Sequence, residues 1–156
     1  MTASARRGDG AAPRAVRMHV DGASRGNPGP AGAGVAFFDA AGRLVGEAGL
    51  YLGTATNNEA EYHGLLLGLE IAEAHGLRDL DVVADSELLV KQLNGEYRVR
   101  EPRLKALHAK VRERAARLGR VTFRHVPRAQ NAEADRMSNE AIDRRLRGIA
   151  DLVWRG

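Results

Sequence analysis

Asp21, Glu61, Asp85 and Asp135 are four acidic residues, each set at or near the end of an expected element. Asp21 closes a run in which Val16, Met18 and Val20 alternate with Arg17 and His19, the two-residue period of a strand with unlike faces. Asp85 closes the short apolar run LDVVAD, a strand expected to lead through Ser86 into a helix. Glu61 falls in the first turn of a helix expected to open at Asn57 or Asn58, both good caps. Asp135 falls in the first turns of a helix expected over Gln130 to Leu146. In an open sheet, strand ends beside a change of connection order line the natural crevice, and two helix starts can lean over it. Four carboxylates meeting there repel one another unless cations neutralise them. Their hard oxygens select Mg²⁺ or Mn²⁺ over zinc. A carboxylate cluster with no HExxH pair suits two-metal phosphodiester chemistry. Singly, the same residues read as a strand-ending turn acid, an exposed first-turn acid, a helix N-cap and a solvated helix position. Only the set points to chemistry.

Composition narrows the alternatives. The chain has 156 residues, enough for one domain, and its 44% apolar content supports a packed core. Cysteine is absent, which excludes disulfide frameworks, thiolate zinc sites and cysteine nucleophiles together. Aromatics are only 4%, so a nucleic-acid surface here cannot rest mainly on base stacking. The 24 Lys and Arg exceed the 20 Asp and Glu by four, and a balance of +4 is a weak pointer to a polyanion. No apolar run approaches the roughly 20 residues of a membrane helix. Residues 1–14 carry no apolar stretch of the kind a secretory signal needs. A soluble, cytoplasmic domain with no membrane partner is expected, acting as a monomer.

The elements that must position the acids follow from pattern. Residues 1–14 are small, polar and without period, and read as a disordered tail; residues 15–146 form the domain; residues 147–156 pack back on it, with Ile149, Leu152, Val153 and Trp154 at helix-like spacing. After the first strand and a glycine-proline loop come two apolar stretches around the turn Asp39-Ala40-Ala41-Gly42, a hairpin. Leu65, Leu66, Leu69, Ile71 and Ala72 give the first helix its apolar side, and Gly76 stops it. Pro102 suits the first turn of a helix through Leu104, Leu107, Val111 and Leu118; VTFRHV is the last strand, and Ala134, Met137, Ala141 and Ile142 are the inner face of the last helix. The order β-β-β-α-β-α-α-β-α implies an α/β mixed sheet covered by helices.

Four motifs in this order carry a resemblance. They are Asp21-Gly-Ala-Ser-Arg-Gly-Asn-Pro-Gly-Pro-Ala-Gly-Ala-Gly34, Thr56-Asn-Asn-Glu-Ala-Glu61, Ala84-Asp-Ser-Glu87 and Asn131-Ala-Glu-Ala-Asp135. Together they resemble the signature of type 1 ribonuclease H over residues 15–146. The resemblance implies a five-stranded mixed sheet in the order 3-2-1-4-5. It implies hydrolysis of the RNA strand of an RNA–DNA hybrid to 5′-phosphate and 3′-hydroxyl ends, with double-stranded RNA a further candidate substrate. It implies Asp21, Glu61, Asp85 and Asp135 as the metal ligands. Two Mg²⁺ or Mn²⁺ ions would then bracket the scissile phosphate about 3.5–4 Å apart with substrate bound. Asp21 would bridge both ions, Glu61 and Asp85 would hold the leaving-group ion, and Asp135 the nucleophile-side ion. Asn27, Asn57 and Asn58 would meet the hybrid's minor groove, where amides can detect a 2′-hydroxyl, and Thr56 would help seat a DNA-strand phosphate. Gly26 is a further substrate-binding candidate, since glycine lets backbone approach a polyanion closely.

Three departures qualify the match. Glu87 stands where many members carry Gln, placing an anion toward a phosphate-rich ligand. QLNGEYRVREPRLKAL runs on with no room for the basic substrate handle, as in the handle-less archaeal and actinobacterial branch. The basic stretch from Arg98 to Arg120 is then a candidate for phosphate binding, or an ordinary solvated helix face. The family's mobile loop histidine aligns either with His125, left within the strand, or with Arg128 in the loop; Pro127 favours Arg128, whose role would be electrostatic because an arginine is no base at neutral pH. A catalytically silent hybrid- or double-stranded-RNA-binding module of the same fold is the alternative, and the presence of all four acids argues against it. An integrase or junction resolvase of this architecture is disfavoured by the asparagine set and the small size.

Overall fold

An alternating strand followed by two strands of mostly small and apolar residues builds a meander: β1 (Ala15–Ser24), β2 (Gly29–Asp39) and β3 (Leu44–Ala55), paired antiparallel. A computed structural model describes residues 15–145 and, by their backbone, residues 153–154. The β2–β3 turn is fastened by Asp39, whose Oδ1 accepts the amides of Ala41 and Arg43 at 3.0 and 2.9 Å. Two further strands, β4 (Asp79–Ala84) and β5 (Arg120–His125), join parallel on the other side of β1, giving the expected core order 3-2-1-4-5. A sixth strand, β6 (Val153–Trp154), pairs with Gly46 and Glu47 of β3. Those two residues therefore extend the sheet, where their spacing had suggested a helix. The rest of the expected tails, 1–14 and 147–152 with 155–156, lies outside the described residues.

Among the described residues, four helices complete the fold: α1 (Asn57–Ala74), α2 (Glu87–Leu93), α3 (Pro102–Leu118) and α4 (Ala132–Arg144). None of them is long and apolar enough to cross a membrane. α1 lies over the β1 face that carries Met18 and Val20, and α4 over the face that carries His19 and Asp21. α3 packs outside α1, which explains why Leu67 is buried along with Leu65, Leu69 and Ile71: α1 has apolar neighbours on two sides. Arg114 reaches Glu70 and Glu73 at 3.7 and 3.9 Å, and Arg117 reaches Glu73 at 3.2 Å, so part of the basic stretch is engaged in clasping α1. Arg112 donates to the Leu93 carbonyl at the end of α2 (2.8 Å).

β5 forms the outer edge of the sheet. Its Arg120, Thr122, Arg124 and His125 are exposed, and the Asn94 amide donates to the Phe123 carbonyl at 3.2 Å. His125, at the end of this strand, thus faces solvent.

The cap of α1 is Thr56, one residue before the asparagines expected to serve. Its hydroxyl accepts the Glu59 amide at 3.1 Å while Glu59 Oε1 accepts the Thr56 amide at 2.9 Å, a reciprocal capping box. Thr56→Ala should cost about 1 kcal/mol, whereas Asn58→Ala should stay within about 0.5 kcal/mol; urea titration of both variants measures the difference.

Candidate active site

Asp21 does not end its strand. β1 runs three residues further, pairing Gly22 with Ala33, Ala23 with Gly32 and Ser24 with Ala31. What ends at this level is the parallel ladder with β4, whose last pair is Val20 with Ala84. Asp85 therefore lies just beyond the tip of β4, beside Asp21, in the crevice that strand order predicts.

Glycines bring the other two acids in. A Cβ on Gly22 would lie well inside 3 Å of the Ala60 carbonyl and the Glu61 amide, so α1 presses its first turns directly onto β1 and delivers Glu61. A Cβ on Gly34, the ladder partner of Asp21, would meet the Ala134 carbonyl and Ser138 amide equally closely. α4 thus rests on bare backbone and delivers Asp135. Arg136 anchors the same helix by pairing with Glu47, a buried carboxylate on β3, and with Glu133 at 3.0 Å.

Asp21, Glu61 and Asp85 each offer an oxygen within 4.8 Å of the others. With Asp135, Gly22, Ser24, Asn57, Arg128 and Asn139 they line one cleft of about 340 Å³. Asp21 is 7% exposed. Its carboxyl is pushed up to about 8, first by burial, then by the charge of Asp85, by the hydrogen bond and charge of Asp135, and by Glu61. Glu61 is pushed up to about 7 by burial and then by Asp85, with a Ser86 hydrogen bond pulling the other way. Among the described residues no Lys or Arg pairs with Asp21, Glu61 or Asp85. Three converging carboxylates that no Lys or Arg pairs are the hard-oxygen donor set that a divalent ion of the Mg²⁺ class needs, so the residues fit such a metal.

Two α4 residues, buried Ser138 and the cleft-lining Asn139, stand against the acids. The Ser138 hydroxyl lies 2.8 Å from the Asp135 carbonyl and 3.3 Å from Asp21 Oδ2, and Asn139 Nδ2 donates to the Asp135 carbonyl at 3.0 Å. Neither was evident from sequence, although both follow Asp135 at the helical spacings of three and four residues that share a face. Arg128 lies on a single 3-10 turn (Arg128–Gln130) with its guanidinium 4.0 Å from Asp135. It belongs to the cleft, and His125 is not among the lining residues.

The loop and α1 candidates gather beside the acids. Gly26 takes a φ of +116°, open to glycine at little cost. Asn27 Oδ1 accepts the Asn57 amide at 3.0 Å, and Asn57 Oδ1 accepts the Ser24 amide at 2.9 Å, stitching loop to helix. Asn27, Thr56 and Asn58 line a second, adjoining depression with Glu59, Glu101 and Arg103, where Arg103 stands 3.6 Å from Glu59. Glu87 is exposed at the start of α2 with Lys91 3.8 Å away, outside the cleft lining.

Residues 19–141 match the family model described as reverse transcriptase-like. The crystal structure of ribonuclease H1 from the archaeon Halobacterium salinarum superposes with a TM-score of 0.80 at 42% identity, covering 83% of this chain and 98% of that one. The chain belongs to the type 1 ribonuclease H family. A second type 1 ribonuclease H, LC11, solved in complex with an RNA/DNA hybrid, matches with a TM-score of 0.79 at 42% identity over 83% of this chain and 97% of that one. Against full-length relatives the chain is shorter. It is 42% identical over 128 residues to the ribonuclease HI of Halobacterium salinarum, spanning 82% of this chain and 64% of the relative. It is 41% identical over 129 residues to a bifunctional protein of Mycobacterium tuberculosis, of which it spans 35%. The ribonuclease H resemblance carried by the four motifs is thereby borne out, as is the five-strand core order.

Proposed function

We propose that this chain is an endoribonuclease that hydrolyses the RNA strand of RNA–DNA hybrids to 5′-phosphate and 3′-hydroxyl ends, acting as a monomer in the cytoplasm. The observation that carries the reading is the meeting of Asp21, Glu61 and Asp85 within 4.8 Å of one another, with Asp135 on the same cleft. The 42% identity to LC11, whose structure holds a hybrid, supports the substrate class.

Asp21, Glu61 and Asp85 would hold one divalent ion, and Asp21 with Asp135 a second. When bound, such ions supply Lewis-acid activation of water and stabilisation of the departing 3′-oxygen. The chain's own groups orient the substrate. Asn27 and Asn57 commit their side-chain oxygens to backbone amides, which leaves their N–H donors for a 2′-hydroxyl. Thr56 and Asn58 border the adjoining depression, a seat for a phosphate of the DNA strand. Arg128 places its cation against Asp135 and acts electrostatically on the acid or on the phosphate beside it.

End-labelled hybrid, double-stranded RNA and DNA duplex, each incubated with Mg²⁺, Mn²⁺ or chelator, test the proposal. The hybrid should be cut only with metal, the DNA duplex should stay intact, and Asp85→Asn should lose on the order of a thousandfold in rate. Cutting of double-stranded RNA would add it as a second substrate. A hybrid bound and never cut would establish the silent binding module instead.

Lys105 and Lys110 on α3 are exposed cations outside the α1 clasp. If that helix meets phosphates, hybrid affinity falls steeply with salt, and changing both lysines to Gln should flatten the log–log slope by about two. An unchanged slope would assign them to solvent.

A further inference from the structure

Asn131 is fully buried at the entrance to α4, and every polar group it has is engaged. Its amide N–H donates to the Arg128 carbonyl at 2.9 Å, closing the turn that carries Arg128. Its carbonyl accepts the Asp135 amide at 3.1 Å. Its side-chain Nδ2 donates to the Val20 carbonyl at 2.9 Å, where the ladder between β1 and β4 ends and one residue before Asp21. Its Oδ1 lies 3.0 Å from His19 Nδ1. Through its backbone and its side chain together, one residue thus bolts the turn of Arg128 and the helix of Asp135 to the strand of Asp21.

An asparagine amide can sit either way round, and a neutral imidazole carries its proton on either nitrogen. Both ambiguities are resolved from outside. Arg17 Nε donates to His19 Nε2 at 3.1 Å, so Nε2 must hold a lone pair and the proton must lie on Nδ1. Nδ1–H then donates to Asn131 Oδ1, which turns Nδ2 toward Val20. Phe38 holds the other two groups in place: it packs edge-on to His19 with centroids 4.8 Å apart, and the Arg17 guanidinium lies 5.2 Å above its ring. His19 is 8% exposed, so water does not compete freely for either nitrogen.

We propose that Arg17, His19 and Asn131 form a hydrogen-bond relay in which His19 and Asn131 are positioning residues, setting the distance of Asp135 and Arg128 from Asp21. This rests on Asp135 serving the hydrolytic site. Groups that orient metal-ligating side chains commonly affect rate or metal affinity by about ten- to a hundredfold without touching substrate.

Long-range ¹H–¹⁵N NMR of the unmodified protein reads the first link directly. It should find His19 as the Nδ1–H tautomer with a slowly exchanging ring proton, and an Nε2–H tautomer overturns the relay. Three substitutions read the second. An asparagine amide reaches the position of Nδ1, a glutamine amide that of Nε2, and phenylalanine keeps the ring alone. His19→Asn should keep kcat within about threefold, while His19→Gln and His19→Phe should each lower it about tenfold with KM for the hybrid changed less than about twofold. Mn²⁺ affinity measured by calorimetry should fall in the same order. Equal kcat and equal Mn²⁺ affinity for the Asn and Gln variants overturn the positioning role. Loss of nuclease activity from the unmodified protein would instead strike the functional reading, leaving the tautomer and Mn²⁺ results to judge the relay.

Discussion

Asp21→Asn should abolish hybrid cleavage and, in chelator, make the protein harder to melt. The first effect follows from removing the acid that faces all three others, and a loss on the order of a thousandfold is expected. The second follows from linkage. In the unfolded chain Asp21 releases its proton near 3.8, and in the fold near 8. The folded state therefore binds that proton more tightly. Its contribution to stability is complete below the unfolded value and is lost as pH rises through the folded one. Glu61, moved from 4.5 to about 7, adds to the same trend. The neutral amide introduced by Asp21→Asn has no proton to lose, so the melting temperatures of the two proteins should coincide near pH 4 and separate progressively toward pH 8, where the variant melts on the order of 5 °C higher. Saturating Mg²⁺ should close the gap by stabilising only the protein that can bind it. Calorimetric scans across this pH range with and without Mg²⁺ give the answer; a variant less stable than its parent at pH 8 in chelator would refute the crowding of the acids.

Gly34→Val should prevent folding, or leave a fold weakened by about 3 kcal/mol or more. The added Cβ meets the Ala134 carbonyl and the Ser138 amide, and helix backbone cannot rotate away as a flexible side chain can. Any accommodation lifts α4 off the sheet, and Asp135 leaves with it, so residual activity should fall further than stability. Gly53 supplies the contrast. It has a φ of +75° and nothing within 4 Å of a Cβ, so Gly53→Ala should cost about 1 kcal/mol and spare activity. Comparable far-UV spectra and denaturant midpoints for the two variants would show that α4 does not depend on Gly34.

The sequence alone pointed to the four acids because each lies in a short local motif and because strands and helices announce their own ends. The inner face of α4, Ala134, Met137, Ala141 and Ile142, was legible for the same reason, and all four are buried. Features made by contact between distant segments left no such trace. β1 continues past Asp21 because β2 continues to pair with it, which the polar and glycine-rich residues after Asp21 do not advertise. Thr56 caps α1 because Glu59 answers it, while Asn57, the next residue, is tied to Asn27 and Ser24 of the loop. Leu67 is buried because α3 covers the far side of α1. Arg114 and Arg117, which lie in the stretch read as a phosphate-binding or solvated helix face, find Glu70 and Glu73 only when α3 has packed. The bond between His19 and Asn131 spans 112 residues, beyond the reach of any spacing rule.

The two margins of the sheet are finished differently, and this bears on crowding. β6 pairs with Gly46 and Glu47 and so covers that short stretch of the β3 margin from within the chain. The β5 margin is left open to water, with arginines at 120 and 124 and with the Asn94 amide already occupying the Phe123 carbonyl. A second copy sliding in antiparallel with Arg120 opposite Arg124 would set arginine against an arginine already held by Asp81 at 2.9 Å, and would have to dislodge Asn94 before its own backbone could bond. Concentrated solutions should consequently stay free of aggregates joined through β5, and replacing Arg120, Arg124 and Asn94 with valines should convert this margin into a nucleus for fibres.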